Sequence, residues 1–192
     1  MVLTPSLMAQ LGTEAPDFRL TDVKTGKGVT RDSAKGPKGL LVMFVCRHCP
    51  FVKHVERELA RIGKDYAMSG IGIVAISSND AAAQPEDAPQ SLKQQAEELD
   101  FYFPYLYDET QQVAKDYGAR CTPDFFLYDA NLRLVYRGQL DDSRPKNDLP
   151  VTGRDLRRAL DAVAAGHGLD DVEQKPSIGC NIKWKPGNDP GA

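Results

Sequence analysis

LLVMFVCRHCPFVKHVERELARIGKDY, residues 40–66, holds two periodicities joined by a pair of cysteines. The run Leu40 to Val45 is continuously apolar and reads as a strand buried on both faces. From Phe51 onward the apolar residues Phe51, Val55, Leu59, Ile62 and Tyr66 recur at three- and four-residue steps, which makes one stripe of a helix. Cys46 and Cys49 fall at the joint, so Cys46 is expected near the N-terminus of that helix.

The same alternation continues outward. Ile71 to Ile76 gives a second buried strand, and Asn79 to Pro89, rich in proline and acid, reads as a surface loop. Helical segments are expected around Ser91–Leu99 and Thr110–Tyr117, the latter closed by Gly118. Asp124–Tyr128 and Leu132–Tyr136 read as an antiparallel hairpin with a tight turn at Asp129–Asn131. A last helix has Thr152 and Asp155 spaced as a capping pair, Leu156, Ala159, Leu160 and Val163 on one face, and Gly166 as its stop. In the polar tail that follows, Ile178, Cys180, Ile182 and Trp184 alternate at period two, so it is expected to dock as an extended segment.

At 192 residues and 41% hydrophobic content the chain fits one core, so a single domain is expected over 1–192, its core about 14–166 and its docked tail 167–192. Strands alternating with helices imply an α/β class, a central mixed sheet flanked by helices. The net charge of −3, with scattered lysine and arginine, provides no footprint for nucleic acid or an anionic membrane. The opening MVLTPSLMAQLGTEAPDF lacks a basic n-region and an apolar h-region, and the expected location is cytoplasmic. Four cysteines are too few for a disulfide-dense scaffold and favour a catalytic or metal role.

GTEAPDFRLTD, CRHCPFVKH, FPYLYDETQQVAKDYGA, CTPDFFLYD and PSIGCNIKW cover most of the chain. With these stretches it resembles the redoxin branch of the thioredoxin superfamily, in particular the peroxiredoxin-like proteins with CxHCPFVKH. The resemblance implies a thioredoxin-like three-layer sandwich with an N-terminal redoxin-type extension. It also implies that Pro123 is a cis-proline facing the active site, that Thr122 presents its backbone to a partner thiol, and that Cys121 lies close to CRHC.

In a thioredoxin-like site, CxxC at a helix start puts two sulfurs within bonding range, while unpaired N–H groups and the helix dipole favour a thiolate. Arg47 and His48 add positive or ionisable character, so Cys46 is expected to be acidified from about 8.5 toward roughly 3.5–7.5. The expected reaction is two-electron dithiol/disulfide exchange: Cys46 attacks a partner disulfide and Cys49 resolves the mixed species, with no cofactor. The partner is a disulfide-containing protein or a small thiol or disulfide.

Two other readings stand beside it. One is a peroxiredoxin-like thiol peroxidase acting as an antioxidant on hydroperoxide, with Cys49, Cys121 or Cys180 as resolving thiol. The signature Pro-x-x-x-Thr/Ser-x-x-Cys is absent before Cys46 and Cys49, which weakens it. The other is a non-enzymatic Cu(I) or zinc chaperone or sensor using CRHC with Cys121 or a histidine, against which no second CxxC or HxxxH accompanies the first. Cys121 reads equally as a small apolar residue or an accessory thiol, and Cys180 reads first as packing in the tail. Val45 replaces the tryptophan usual before the first cysteine, and LLVMFV holds no buried carboxylate.

Overall fold

The strand Gly39–Phe44, buried along its whole length, shows why the sequence makes two cores. The computed structural model describes residues 3–169 and 173–191; Met1, Val2 and, within the expected tail, residues 170–172 and 192 lie outside the described residues. In chain order the elements are β1 (Leu3–Pro5), β2 (Arg19–Asp22), β3 (Gly28–Thr30), α1 (Arg31–Ala34), β4 (Gly39–Phe44), α2 (Pro50–Asp65) and β5 (Ile71–Ser77). A 3-10 turn (Pro85–Asp87), α3 (Pro89–Glu98), β6 (Tyr105–Tyr107), α4 (Gln112–Tyr117) and β7 (Cys121–Thr122) follow. Then come β8 (Asp124–Asp129), β9 (Leu134–Gly138), α5 (Arg154–Ala165) and β10 (Ile178–Asn181).

The main sheet runs β3-β2-β6-β5-β4-β8-β9. It is mixed: β4 pairs parallel to β5 and antiparallel to β8, and β8 pairs antiparallel to β9. Successive side chains of β4 alternate between its faces. Leu41 and Met43 join the cluster containing Val52, Leu92 and Leu156 from α2, α3 and α5. Leu40, Val42 and Phe44 join Val113, Ala114 and Tyr117 of α4 on the other face. Each such side chain contributes about 1.5–3 kcal/mol of burial. This is the expected thioredoxin-like sandwich, helices on both faces of a mixed sheet.

At α5 the expected cap is replaced. Gly153, with a left-handed φ of 66°, is the N-cap, and no side chain caps it. The Asp141 carboxylate, buried in the preceding turn, instead accepts from the N–H groups of Thr152 and Gly153, each at 2.7 Å. An ionised acceptor serving two donors displaces a local Thr–Asp pairing. Asp155 turns to the Gln139 amide at 2.8 Å.

The tail docks as the central strand of a second, three-stranded sheet, β1-β10-β7. Cys180 pairs with Leu3 on one side and Thr122 on the other. Gly179 makes this possible, because a Cβ there would meet the Thr122 carbonyl oxygen at 2.0 Å. No helix among the described residues is long and apolar enough to cross a membrane.

Gly179→Val should therefore undock β10. We expect destabilisation of about 1–3 kcal/mol in urea unfolding, and hydrogen exchange accelerated across 178–181 while β4 and β5 stay protected. Unchanged exchange over 178–181 would show that the strand does not depend on this close approach.

Candidate active site

Beyond β4 the chain keeps one more sheet bond, Val45 N–H to the Ile76 carbonyl at 3.0 Å, and then turns through Cys46, Arg47 and His48 into α2. Cys49 is the N-cap, and Pro50, which has no N–H, occupies the first helical turn where that donor is surplus. The N–H groups of Arg47 and His48 lie outside the helix, and Asp87 meets both. Its Oδ1 accepts from them at 2.7 and 3.0 Å, while Oδ2 sits 2.5 Å from His48 Nδ1 and accepts from the Asn79 amide at 2.8 Å. Burial alone would raise the Asp87 carboxyl, but hydrogen bonds from His48 and the two backbone groups hold it below its ordinary value.

The segment Asn79 to Pro89 is, as expected, largely exposed turn, but it turns two polar side chains into the interior. Asn79 and Asp87 are buried because the Arg47–His48 turn needs an acceptor that α2 cannot supply. Asp87 is also a buried carboxylate beside the cysteines, supplied by this segment and not by the strand LLVMFV. Arg47 sends its guanidinium away from the sulfurs, to the Ser91 carbonyl at 2.6 Å and to Glu98 at 3.1 Å. His48 is locked to Asp87.

Cys46, Cys49 and Cys180 are each at most 1% exposed. Cys46 Sγ lies 3.3 Å from the Thr122 hydroxyl, and Cys49 Sγ lies 3.4 Å from the Thr122 carbonyl oxygen and 2.6 Å from Cys180 Sγ. The Thr122–Pro123 peptide is cis, as the resemblance implies. Thr122 does not present a vacant backbone edge, because β10 is already paired with it. Cys121 is buried, with the Pro123 carbonyl at 3.8 Å as its hydrogen-bond partner, and burial pushes its thiol well up.

The expected acidity is reversed between the CxxC sulfurs. Burial, then its contacts with Cys49 and the negative charge of Asp87, hold the Cys46 thiol well above the ordinary range. Cys49 is strongly lowered by hydrogen bonds from Cys180 and Cys46, with the Val52 N–H adding to them. The cause is position: Cys49, not Cys46, caps the helix, and the two neighbouring thiols donate toward it. Cys180 rises correspondingly, first through its bond to Cys49 and then through burial. Of these three sulfurs, the surroundings favour the anion most at Cys49.

Two further groups had no sequence signal. Gln95 of α3 bridges the Tyr105 hydroxyl and Glu56 and sits 3.5 Å from the Cys46 carbonyl. Asp124, directly after Pro123, is fully buried; its Oδ1 accepts from Phe125 N–H at 3.2 Å, its Oδ2 has no hydrogen bond among the described residues, and burial, opposed by the nearby Ser6 hydroxyl, lifts its carboxyl to about 7. Cys46 Sγ, a His48 ring nitrogen and an Asp87 oxygen lie within 4.8 Å of one another, a donor set suited to a borderline cation such as zinc. A cation there would have to break the His48–Asp87 contact, and Asp87 already serves four hydrogen-bonding groups.

A family model described as the AhpC/TSA family matches residues 11–137. Among curated proteins, thiol-disulfide oxidoreductase ResA of Geobacillus kaustophilus is 27% identical over 165 residues, 83% of this chain and 82% of that protein. ResA of Bacillus anthracis is 27% identical over 129 residues, 66% of this chain and 68% of its own. An uncharacterized conserved protein from Geobacillus kaustophilus has a solved structure with a TM-score of 0.95 and 55% identity, covering 97% of this chain and 98% of that one. A thiol:disulfide interchange protein of the thioredoxin family from Chlorobium tepidum TLS shares the fold, with a TM-score of 0.61 and 20% identity over 81% of this chain and 98% of its own.

Asp87→Ala should strand the Arg47 and His48 N–H groups. We expect a loss of about 2–4 kcal/mol in urea unfolding, with Asp87→Asn recovering part of it because one acceptor oxygen remains. A loss below about 1 kcal/mol would show that water replaces the carboxylate.

Asp124 makes a prediction of opposite sign to an ordinary carboxylate. Its folded-state value of about 7 exceeds the ordinary carboxylate value of 3.8, so between these pH values the folded chain holds a proton the unfolded chain has lost. Stability should fall as pH rises through that window, by about 4 kcal/mol at most, and Asp124→Asn should flatten the fall. Identical pH profiles of the two proteins in thermal unfolding would refute it.

Proposed function

The chain belongs to the AhpC/TSA family, and from that membership we propose that it is a thiol–disulfide oxidoreductase using Cys46 and Cys49 for two-electron dithiol/disulfide exchange. The observation that carries this reading is the thiolate-favouring position of Cys49 at the N-terminus of α2, with Cys46 near it and cis-Pro123 alongside. Helix-cap position and thiol donors both favour a sulfur anion, the reacting form in exchange. The curated relatives named thiol-disulfide oxidoreductase point the same way.

In the reduced site Cys46 carries a proton and donates toward the Cys49 thiolate. As Cys46 attacks a partner disulfide, that proton passes to Cys49, and the first partner sulfur leaves as a thiolate. Cys49 then attacks Cys46 Sγ in the mixed disulfide; its proton goes to the second departing sulfur. The protein ends as a disulfide and the partner as two thiols, one of them ionised, so protons and electrons balance. His48 and Asp87 hold the turn that carries Cys46, and the Thr122 hydroxyl at 3.3 Å stabilises its sulfur while charged. A small cleft lined by Phe51, His54, Pro123 and Ile178 lies beside the cis-proline.

Reduced protein should cleave insulin disulfides, followed as turbidity with dithiothreitol as the electron source. Cys46→Ser should lose at least about a hundredfold in rate, and Cys49→Ser should accumulate a mixed disulfide through Cys46, seen as an added mass in intact-protein spectra. Undiminished insulin reduction by Cys46→Ser would overturn the assignment.

A further inference from the structure

Cys180 has no part in the exchange just described, yet its Sγ stands 2.6 Å from Cys49 Sγ, against about 2.05 Å in a formed disulfide. Neither is in a disulfide. The approach is built into the backbone: β10 pairs antiparallel with β7 so that Cys180 lies opposite Thr122, the residue before cis-Pro123. Gly179 permits that contact and β1 holds the other edge of the strand. The tail therefore occupies the backbone edge that the resemblance reserves for a partner, and it brings a cysteine to Cys49, the resolving sulfur of the exchange.

We propose that Cys180 is a third redox cysteine, which takes over the disulfide from Cys46 within the folded chain. This rests on the exchange reading above and deepens it. Cys180 sulfur attacks Cys49 Sγ of the Cys46–Cys49 disulfide; the Cys49–Cys180 bond forms, the Cys46–Cys49 bond breaks, and Cys46 leaves. The proton lost by Cys180 ends on Cys46, whose burial favours the neutral thiol. No external oxidant enters, because the step only moves a disulfide already made. Cys49 is suited to the central place, since it alone touches the tail thiol while lying near Cys46. The product fastens β10 covalently across the site and returns Cys46 to the reduced form.

The test is disulfide mapping over time. Fully reduced full-length protein is mixed with oxidised glutathione, quenched with acid, alkylated and digested with trypsin, which separates Cys46 from Cys49 at Arg47. In the wild type the Cys46–Cys49 linkage should appear first and give way to Cys49–Cys180, which should exceed it by about tenfold at equilibrium with Cys46 alkylated. Cys180→Ser, checked for a native circular dichroism spectrum, should stop at Cys46–Cys49, and Cys46→Ser should form Cys49–Cys180 at least about tenfold more slowly than the wild type. A wild type that retains Cys46–Cys49 with Cys180 alkylated overturns the third cysteine and leaves the exchange reading standing. Equal rates of Cys49–Cys180 formation in the wild type and in Cys46→Ser overturn the transfer from Cys46. Absence of any disulfide to Cys46, in Cys180→Ser as in the wild type, overturns both readings.

Discussion

The pairing of the tail strand with Cys121–Thr122 is the contact on which the site depends. A two-residue strand next to a cis-proline would otherwise leave backbone donors and acceptors at an uncovered edge, where another chain could add itself. Here β10 fills one side, and β1 fills the outer side of β10. Because side chains of a strand alternate, that register does more than cover an edge. It sends Cys180 inward to the cluster of Cys49, Leu140 and Leu156, and past the end of the strand at Asn181 the chain leaves that alternation, so that Ile182 joins the other cluster with Phe44 and Tyr117. The tail thus links the two cores.

A second constraint is electrostatic. The turn from β4 into α2 has N–H groups that neither element can use, and burial without an acceptor would cost about 1–3 kcal/mol for each. Asp87 answers with one carboxylate, and the 3-10 turn at Pro85–Asp87 brings it there. That negative charge stands near Cys46 and disfavours a second anion beside it. The same arrangement that fixes the turn therefore directs the thiolate to Cys49, where the helix terminus receives it.

Much of the architecture was legible in the sequence, for identifiable reasons. LLVMFV could be read because six apolar residues in a row leave few alternatives, and the α2 stripe because its spacing repeats over the whole helix. The docking of the tail was visible in the period-two alternation of Ile178, Cys180 and Ile182. What could not be read depends on partners distant in sequence. Asp87 looks like any acid in a polar loop until the N–H groups of Arg47 and His48, some forty residues away, are placed against it. Asp141 displaced the Thr152–Asp155 cap for the same reason. β6 is short and took its partners from β2 and β5, so its own three residues carried no clear pattern. The helix was expected after CRHC and begins there, at Pro50; which cysteine its end favours turned instead on Asp87 and Cys180, whose approach to the two sulfurs no local pattern reveals.

Burial of the sulfurs has a consequence for how the chain meets a partner. Exchange needs an in-line approach of a third sulfur to the one attacked, and Cys46, Cys49 and Cys180 are all closed to solvent. The covering element is a four-residue strand held on one side by a three-residue strand and on the other by a two-residue one. Such short ladders open locally at far lower cost than the β4–β5–β8 centre of the sheet, whose strands are paired along their full length. β10 therefore lies over Cys49 on the less firmly held of the two sheets, and it carries a cysteine of its own to that sulfur. Chemistry at Cys49 and the position of the tail are coupled through one sulfur–sulfur contact, so a change in bonding at Cys49 alters what holds the tail in place.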